Sequence, residues 1–444
     1  MTVQPARLES LRHIPGRKGL PFLGNALDFI RDPYAASMRN YEEYGPVFRQ
    51  YMLGEWSVSL AGADAVEYVL TDPDKNFSSK NGWWLLKEIF PGGLMLRDFD
   101  DHRAHRRVMQ PAFRAAAMED YLLRMNGGIA QLIRAWEADE RLEFYPAIKA
   151  LTLKLGAAVF MGLPLGNAEA DALNKAFQDE VAASLALIRA PLPGTTYKKG
   201  LDGRAYLTRR FAEMIPERRA DPGADFFSQM ASATDEDGKS WTEQEIIDHL
   251  NFLMMAAHDT TTSALTTMVW AMAKWPQWQD AVHEEVLALP HGDLTMKDLP
   301  QLEVTERVFK EALRFMPPVP FIPRQAVRAF EWQGVKIPAG ANIGISPGMT
   351  MMQEEYWTDP EMFDPDRFTS NRAEDRNHRF AWAPFGGGTH KCIGLHFAMM
   401  QVKAFTAQFV RKYRVSLVDG AGEKWHRVPI PKPADGLPLH IVRR

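Results

Sequence analysis

Thr242-Glu243-Gln244-Glu245 forms a capping-box pattern, and the helical stretch it opens runs to about Lys274 without a glycine or proline before Trp275-Pro276 stops it. So long an apolar-rich helix must be covered on most sides, which calls for a large, mainly helical fold. The remaining chain agrees. Helical periodicity dominates from about residue 62, broken by short turns at Gly162–Pro164, Pro191–Gly194, Asp221–Gly223 and Pro290–Gly292. Earlier, Asp32 is placed to cap a helix over Pro33–Tyr44. Val47–Tyr51 and Ser57–Leu60 flank Gly54 as a short hairpin, and Val335–Ile345, turning at Pro338-Ala339-Gly340, reads as short strands. No internal repeat, low-complexity linker or composition shift divides the chain. The expectation is a mainly α protein, one large domain over residues 1–444 with a small β-rich region.

With 46% hydrophobic and 24% charged residues, the chain has ample material for a large core, and a net charge of −4 argues against nucleic acid as the main partner. Met1 to Gly24 holds no apolar run of signal-peptide length, and stretches such as Gly156–Leu163 fall short of the roughly 20 residues a membrane helix needs. Cys392 is the only cysteine among 444 residues, which excludes an intramolecular disulfide and leaves too few thiolates for the usual zinc or iron–sulfur sites. Together these predict a cytoplasmic protein with no membrane anchor.

The cysteine lies in Phe385-Gly386-Gly387-Gly388-Thr389-His390-Lys391-Cys392-Ile393-Gly394, followed by an apolar-periodic stretch from Leu395 to Phe405. Glycines allow a tight loop that can approach a flat ligand, and a helix N-terminus just beyond favours a thiolate. One thiolate can hold one haem iron. The bland alternative is a buried, inert cysteine. A phosphate loop is disfavoured because no Lys-Ser or Lys-Thr follows the glycines.

Three other stretches stand out. Ala256-Ala257-His258-Asp259-Thr260-Thr261-Thr262 puts polar groups inside the long helix; they either bond back to helix carbonyls or form an acid–alcohol proton relay. His102 and Arg106 share a helix face, either as solvated basic residues or as an anion site. Glu311 and Arg314 form an i,i+3 pair of a kind that is common on exposed helices.

Phe385-Gly386, Gly388, His390, Cys392 and Gly394 resemble the haem-binding signature of the cytochrome P450 family, the haem-thiolate monooxygenases. The other stretches resemble that family's motifs in the family's order. The resemblance implies haem b ligated by Cys392 and packed by Phe385, with His102, Arg106, Arg324 and His390 binding its propionates. It places the haem between the long helix and the cysteine loop. Asp259 and Thr260 become the catalytic pair, Thr260 bonding the oxygen being activated and Asp259 bringing protons from solvent; Ala257 stands where glycine is usual. Glu311 and Arg314, with Arg367 of Phe363-Asp364-Pro365-Asp366-Arg367-Phe368, become a buried structural triad.

By position, Trp83, Trp84, Leu86 and Phe90 resemble a substrate-contacting loop, although ordinary core is an equal reading. Met255, Ala256, Val319, Phe321 and Ile322 complete the implied pocket, and residues 177–199, with Leu185, Ile188 and the turn at Pro191, correspond to a mobile lid. The implied reaction is hydroxylation of a lipophilic small molecule, favouring a steroid or terpenoid, using O2 and two electrons. Those electrons come from NAD(P)H through separate redox partners. A ferredoxin-type donor would dock on Arg103, Arg107, Lys391 and Lys403, and the enzyme is expected to be a monomer. The competing readings are a peroxide-using peroxygenase or isomerase and a haem- or lipophile-binding protein without turnover.

Overall fold

The computed structural model describes residues 4, 6–138, 141–184, 186, 188–234, 238–290 and 292–444. The chain forms two compact units, each gathered from three separate stretches. One comprises Met1–Trp83, Arg307–Cys392 and Gly422–Asp435; the other comprises Trp84–Glu306, Ile393–Ala421 and Gly436–Arg444.

The first unit is built on a six-stranded sheet. Its strands lie in the spatial order Gly16–Arg17, Val47–Met52, Glu55–Leu60, Asn342–Ile345, Ile322–Ala326 and Phe77–Ser78. The predicted hairpin is present, with Val47 opposite Leu60 and Met52 opposite Glu55. Its two-residue turn, Leu53-Gly54, has positive φ at both positions, matching the twist of the strands it joins. Val58, Leu60, Ile343 and Ile345 alternate inward and pack with Val66, Val69 and Leu70 of the helix Ala63–Thr71. Asp32 caps the helix Pro33–Tyr44 as expected, its Oδ1 accepting from the backbone N–H groups of Tyr34 and Ala35 at 3.1 Å each.

The second unit is mainly helical. Its long helix spans Glu243–Lys274, 32 residues, and the reciprocal capping box between Thr242 and Glu245 is formed. It packs against the helices Phe144–Phe160, Ala168–Ser184, Thr196–Ala220 and Leu395–Lys412. Trp136, Phe144, Phe405 and Phe409 make one aromatic cluster in this core. A three-stranded sheet joins Tyr413–Leu417, Pro438–Arg443 and Arg141–Glu143. No described helix is long and apolar enough to cross a membrane.

Candidate active site

In the first unit the cysteine loop is shaped by its glycines. Gly386 and Gly388 have φ of +65° and +59°, and a Cβ on Gly388 would lie 1.9 Å from the carbonyl oxygen of Leu70. Any side chain there forces the loop off the end of helix Ala63–Thr71. The Cys392 N–H donates to the Phe385 carbonyl at 2.9 Å, closing the loop, and the thiol-bearing residue is exposed. The inert, buried cysteine is therefore not what this loop builds. No cluster of three or more His, Cys, Asp or Glu residues suited to a metal occurs among the described residues. One accessible thiolate donor without protein co-ligands fits a haem, whose macrocycle supplies the remaining ligands.

Within this loop Phe385 is half-buried, its ring 6.0 Å from Trp382 in an edge-on contact. His390 is half-buried at the end of a 3-10 turn, and Arg324 is buried in the strand Ile322–Ala326. Trp83, Val319, Phe321 and Ile322 are half-buried, and Phe321 packs on Phe29 with ring centroids 4.4 Å apart.

The Glu311 network lies in the same unit, and it is no surface pair: Glu311, Arg314 and Arg367 are each 0% exposed. Arg314 donates to both carboxylate oxygens at 2.7 and 2.9 Å, and Arg367 Nε donates to Oε1 at 3.1 Å. Other guanidinium hydrogens go to the carbonyls of Met351, Pro360, Thr358 and Met362. Glu374 is a fourth member that the sequence reading missed, accepting from Arg367 at 2.9 Å. Its only sequence signal was an acid seven residues after Arg367.

In the second unit His102 is buried and Arg106 half-buried on the helix Phe99–Met109. Met255, Ala256, Asp259 and Thr260, at i, i+1, i+4 and i+5, share one half-buried face with Ala257 beside them, on a helix that is otherwise largely buried. The helix continues unbroken through Ala257. The Thr260 hydroxyl donates back to the Ala256 carbonyl at 2.5 Å, the self-bonding expected of an alcohol inside a helix. That leaves its oxygen lone pairs as acceptors. Asp259 Oδ1 lies 3.2 Å from the Lys149 ammonium and 3.1 Å from His258 Nδ1. Burial pushes the Asp259 carboxyl up, but hydrogen bonding and charge from His258 and Lys149 outweigh it and hold the group below the usual carboxylate range. Lys149, 110 residues away on helix Phe144–Phe160, was not legible as its partner.

Of the loop residues, Trp84 is half-exposed, Leu86 half-buried and Phe90 wholly buried. This loop is stapled to the lid region. Arg189 donates to the Leu85 carbonyl at 2.8 Å, Tyr197 donates to Glu88, and Arg204 donates to the Ile89 carbonyl at 2.5 Å. Ile188 and Leu192 are exposed, whereas Leu185 lies outside the described residues. Beneath the staple sits Glu180, 0% exposed, with Arg204 at 3.6 Å and no hydrogen bond to either carboxyl oxygen among the described residues.

Burial pushes the Glu180 carboxyl up to about 8, with Arg204 opposing and Asp248 adding to the rise. Between its ordinary 4.5 and about 8 the folded chain keeps a proton that the unfolded chain has released, so this group's contribution to stability falls as pH rises through that window. Glu180→Gln should therefore be more stable than wild type at pH 8.5, by at most about 5 kcal/mol, with the difference vanishing near pH 4.5. Urea unfolding at both pH values checks this, and a pH-independent difference refutes it.

One predicted docking residue is corrected. Lys403 is 6% exposed, its ammonium bonded to the Leu299 carbonyl at 2.8 Å and to Glu306 at 2.7 Å. A lysine buried to satisfy its own helix packing cannot present charge to a partner. Arg103, Arg107 and Lys391 are exposed.

A family model described as cytochrome P450 matches residues 14–427. A putative cytochrome P450 136 from Mycobacterium tuberculosis is 36% identical, the match covering 99% of this chain and 91% of that protein. The taxane 10-beta-hydroxylase of Taxus cuspidata is 26% identical, covering 98% of this chain and 90% of its own. Among solved structures, the retinoic acid bound cyanobacterial CYP120A1 matches with a TM-score of 0.88 and 26% identity over 100% of both chains.

Proposed function

Because the chain belongs to the cytochrome P450 family, and is thus a haem-thiolate monooxygenase fed with electrons by a redox partner, we propose that Cys392 is the haem ligand and the substrate a bulky steroid- or terpenoid-like lipophile. The observation that carries the ligand assignment is the accessible thiol on a loop that leaves no room for a side chain at Gly387 and Gly388. The substrate class is supported by a relative named for a taxane, by a solved relative with retinoic acid bound, and by the apolar side chains of Val319, Phe321, Ile322, Met255, Trp83 and Trp84.

Bound haem b supplies the oxygen activation and C–H hydroxylation. The chain's own residues do the rest. His102, Arg106, Arg324 and His390 would donate to the propionate oxygens of a bound haem, and Phe385, in the ligand loop, would pack against it. Glu311, Arg314, Arg367 and Glu374 hold the frame of the unit that carries that loop. Asp259 carries protons inward, and Thr260 receives them with the lone pairs left after its own hydrogen is committed to Ala256. The whole chain works as one haem domain, a cytoplasmic monomer reduced by a ferredoxin-type donor at the expense of NAD(P)H. Exposed Arg103, Arg107 and Lys391 supply positive charge for that encounter.

The test is a spin-state titration of the oxidised holoenzyme with a panel of steroids, terpenoids and retinoids, followed by reconstitution with ferredoxin and its reductase. A spectral shift plus hydroxylated product that requires the electron donor is expected. Turnover with peroxide alone would establish the peroxygenase alternative, and binding without product under either condition would establish a carrier. Thr260→Ala should lower product per electron pair roughly 100-fold, the low end for a positioned acid–base group, with the electrons recovered as hydrogen peroxide. Unchanged coupling would remove Thr260 from the relay.

A further inference from the structure

The long helix carries one more titratable side chain beside the acid–alcohol pair. His258 is 4% exposed, and its two ring nitrogens meet different kinds of group. Nε2 lies 3.2 Å from the backbone carbonyl oxygen of Lys149, and Nδ1 lies 3.1 Å from Asp259 Oδ1. A carbonyl oxygen carries no hydrogen, so the first contact places a hydrogen on Nε2. In the neutral ring Nδ1 is then a bare lone pair, which a carboxylate oxygen at that distance repels. The contact becomes favourable once Nδ1 also bears a hydrogen. The approach is bent, as adjacent positions on a helix require, and neither atom makes an in-line hydrogen bond among the described residues.

The surroundings are supplied by neighbouring helices. Phe144–Phe160 addresses the pair twice through one residue: the Lys149 carbonyl holds the imidazole, and the Lys149 ammonium holds the same Asp259 oxygen at 3.2 Å. Tyr145, from that helix, is the other titratable group that senses Asp259. Phe177 of Ala168–Ser184 meets the imidazole edge-on, with ring centroids 6.1 Å apart. His258 also lines a small cavity with Thr152, Gly156, Ala257 and Gln401, none of which is charged. Among the described residues the charged groups facing the imidazole are thus Asp259 and Lys149.

We propose that His258 is a positioning residue of the proton relay: it bears a hydrogen on each ring nitrogen, holds Nδ1–H beside Asp259 Oδ1, and shares one dissociable proton with that carboxylate. This rests on the reading of Asp259 as the proton carrier. In each delivery the Nδ1–H bond breaks and an Oδ1–H bond forms, leaving a neutral imidazole still donating Nε2–H to Lys149. The carboxyl then passes the proton on, and solvent returns one to Nδ1 along the Lys149 side chain, which is 34% exposed. His258 thereby keeps the carboxylate ionised, in place and supplied between turnovers.

The experiment uses the holoenzyme in its ferrous carbon monoxide form, which is diamagnetic, with 15N-labelled histidine and 13C-carboxyl-labelled aspartate. His258→Gln and Asp259→Asn assign the two signals. Attached hydrogens are expected on both ring nitrogens of His258 in wild type, and a bare Nδ1 overturns the proposal. In His258→Gln, whose side-chain amide can still reach the Lys149 carbonyl, the Asp259 carboxyl should titrate about one pH unit higher, because burial is then opposed by Lys149 alone. His258→Asn puts an amide hydrogen near the Nδ1 position and should restore at least half of that shift. An unchanged Asp259 titration in His258→Gln also overturns the proposal. Haem content and the carbon monoxide spectrum establish that each variant is folded. Product per electron pair in Asp259→Asn separates the two readings: full coupling there sinks the relay itself, whereas lost coupling combined with an unmoved Asp259 signal sinks only the role of His258.

Discussion

Cys392→Ser is expected to abolish the red-shifted carbon monoxide band of the reduced protein and to lower monooxygenase turnover at least about 1,000-fold, a barrier increase of ~4 kcal/mol. The reasoning starts from the donor atom. A thiolate forms near neutral pH and pushes electron density onto iron; a serine hydroxyl stays protonated and donates far less. The substitution changes one atom on an exposed residue, and the loop is closed by its backbone N–H to the Phe385 carbonyl, which serine keeps. Stability should therefore move by less than about 1 kcal/mol, the ordinary range for an exposed substitution. Reduced-minus-oxidised spectra with carbon monoxide, together with urea unfolding, separate lost ligation from lost fold. A serine variant retaining the thiolate spectrum would place the ligand elsewhere, and one that loses haem together with stability would make Cys392 structural.

Glu311→Ala is expected to be the most damaging single change to the frame, costing about 3–5 kcal/mol, the range for removing one partner of a buried ion pair. Glu311 accepts from Arg314, from Arg367 and from the Asp364 backbone N–H at 2.9 Å, and all three side chains of the triad are shut off from water. Its loss leaves Arg367 with Glu374, which is also paired with Arg372, and leaves Arg314 with no carboxylate partner among the described residues. Trp357, fully buried with the Arg314 guanidinium 5.3 Å from its ring, offers cation–π contact but no negative charge. Urea unfolding of the holoenzyme and the fraction of haem retained after gel filtration measure the effect. A destabilisation under about 1 kcal/mol would mean that the arginines find water or other carbonyls, against the burial seen here. Glu311→Gln should fall between the two, keeping volume and one acceptor while losing the charge.

The elements legible in advance were those whose physics is local. Asp32 reaches N–H groups two and three residues on, Thr242 and Glu245 cap each other, and Leu53-Gly54 turns a hairpin whose strands alternate inward and outward. In each case a side chain or turn satisfies backbone groups within its own segment, so a reading of a few residues suffices. The cysteine loop was legible for a related reason, because its glycines mark local backbone demands: positive φ at Gly386 and Gly388, and no room for a Cβ at Gly387 and Gly388. Resemblance to a family then joined motifs that lie far apart.

Other features depended on what a residue meets across the fold. Glu311 and Arg314 read alike whether exposed or buried, and only packing, which brings Arg367 from 56 residues away, turns a weak surface pair into a sealed network. Lys403 read as surface charge and proved to be buried against Glu306. Asp259 and Thr260 were identifiable as an acid–alcohol pair with His258 beside them, yet Lys149, which joins His258 in holding the acid ionised, became visible only where two helices meet. The sequence by itself determined the mainly helical class, the element boundaries set by caps and turns, and the lone thiolate donor, since these follow from covalent geometry and nearby hydrogen bonds. Tertiary structure alone decided which charges are paired and which are displayed, because the worth of a charge is set by the burial and the partners that packing imposes on it.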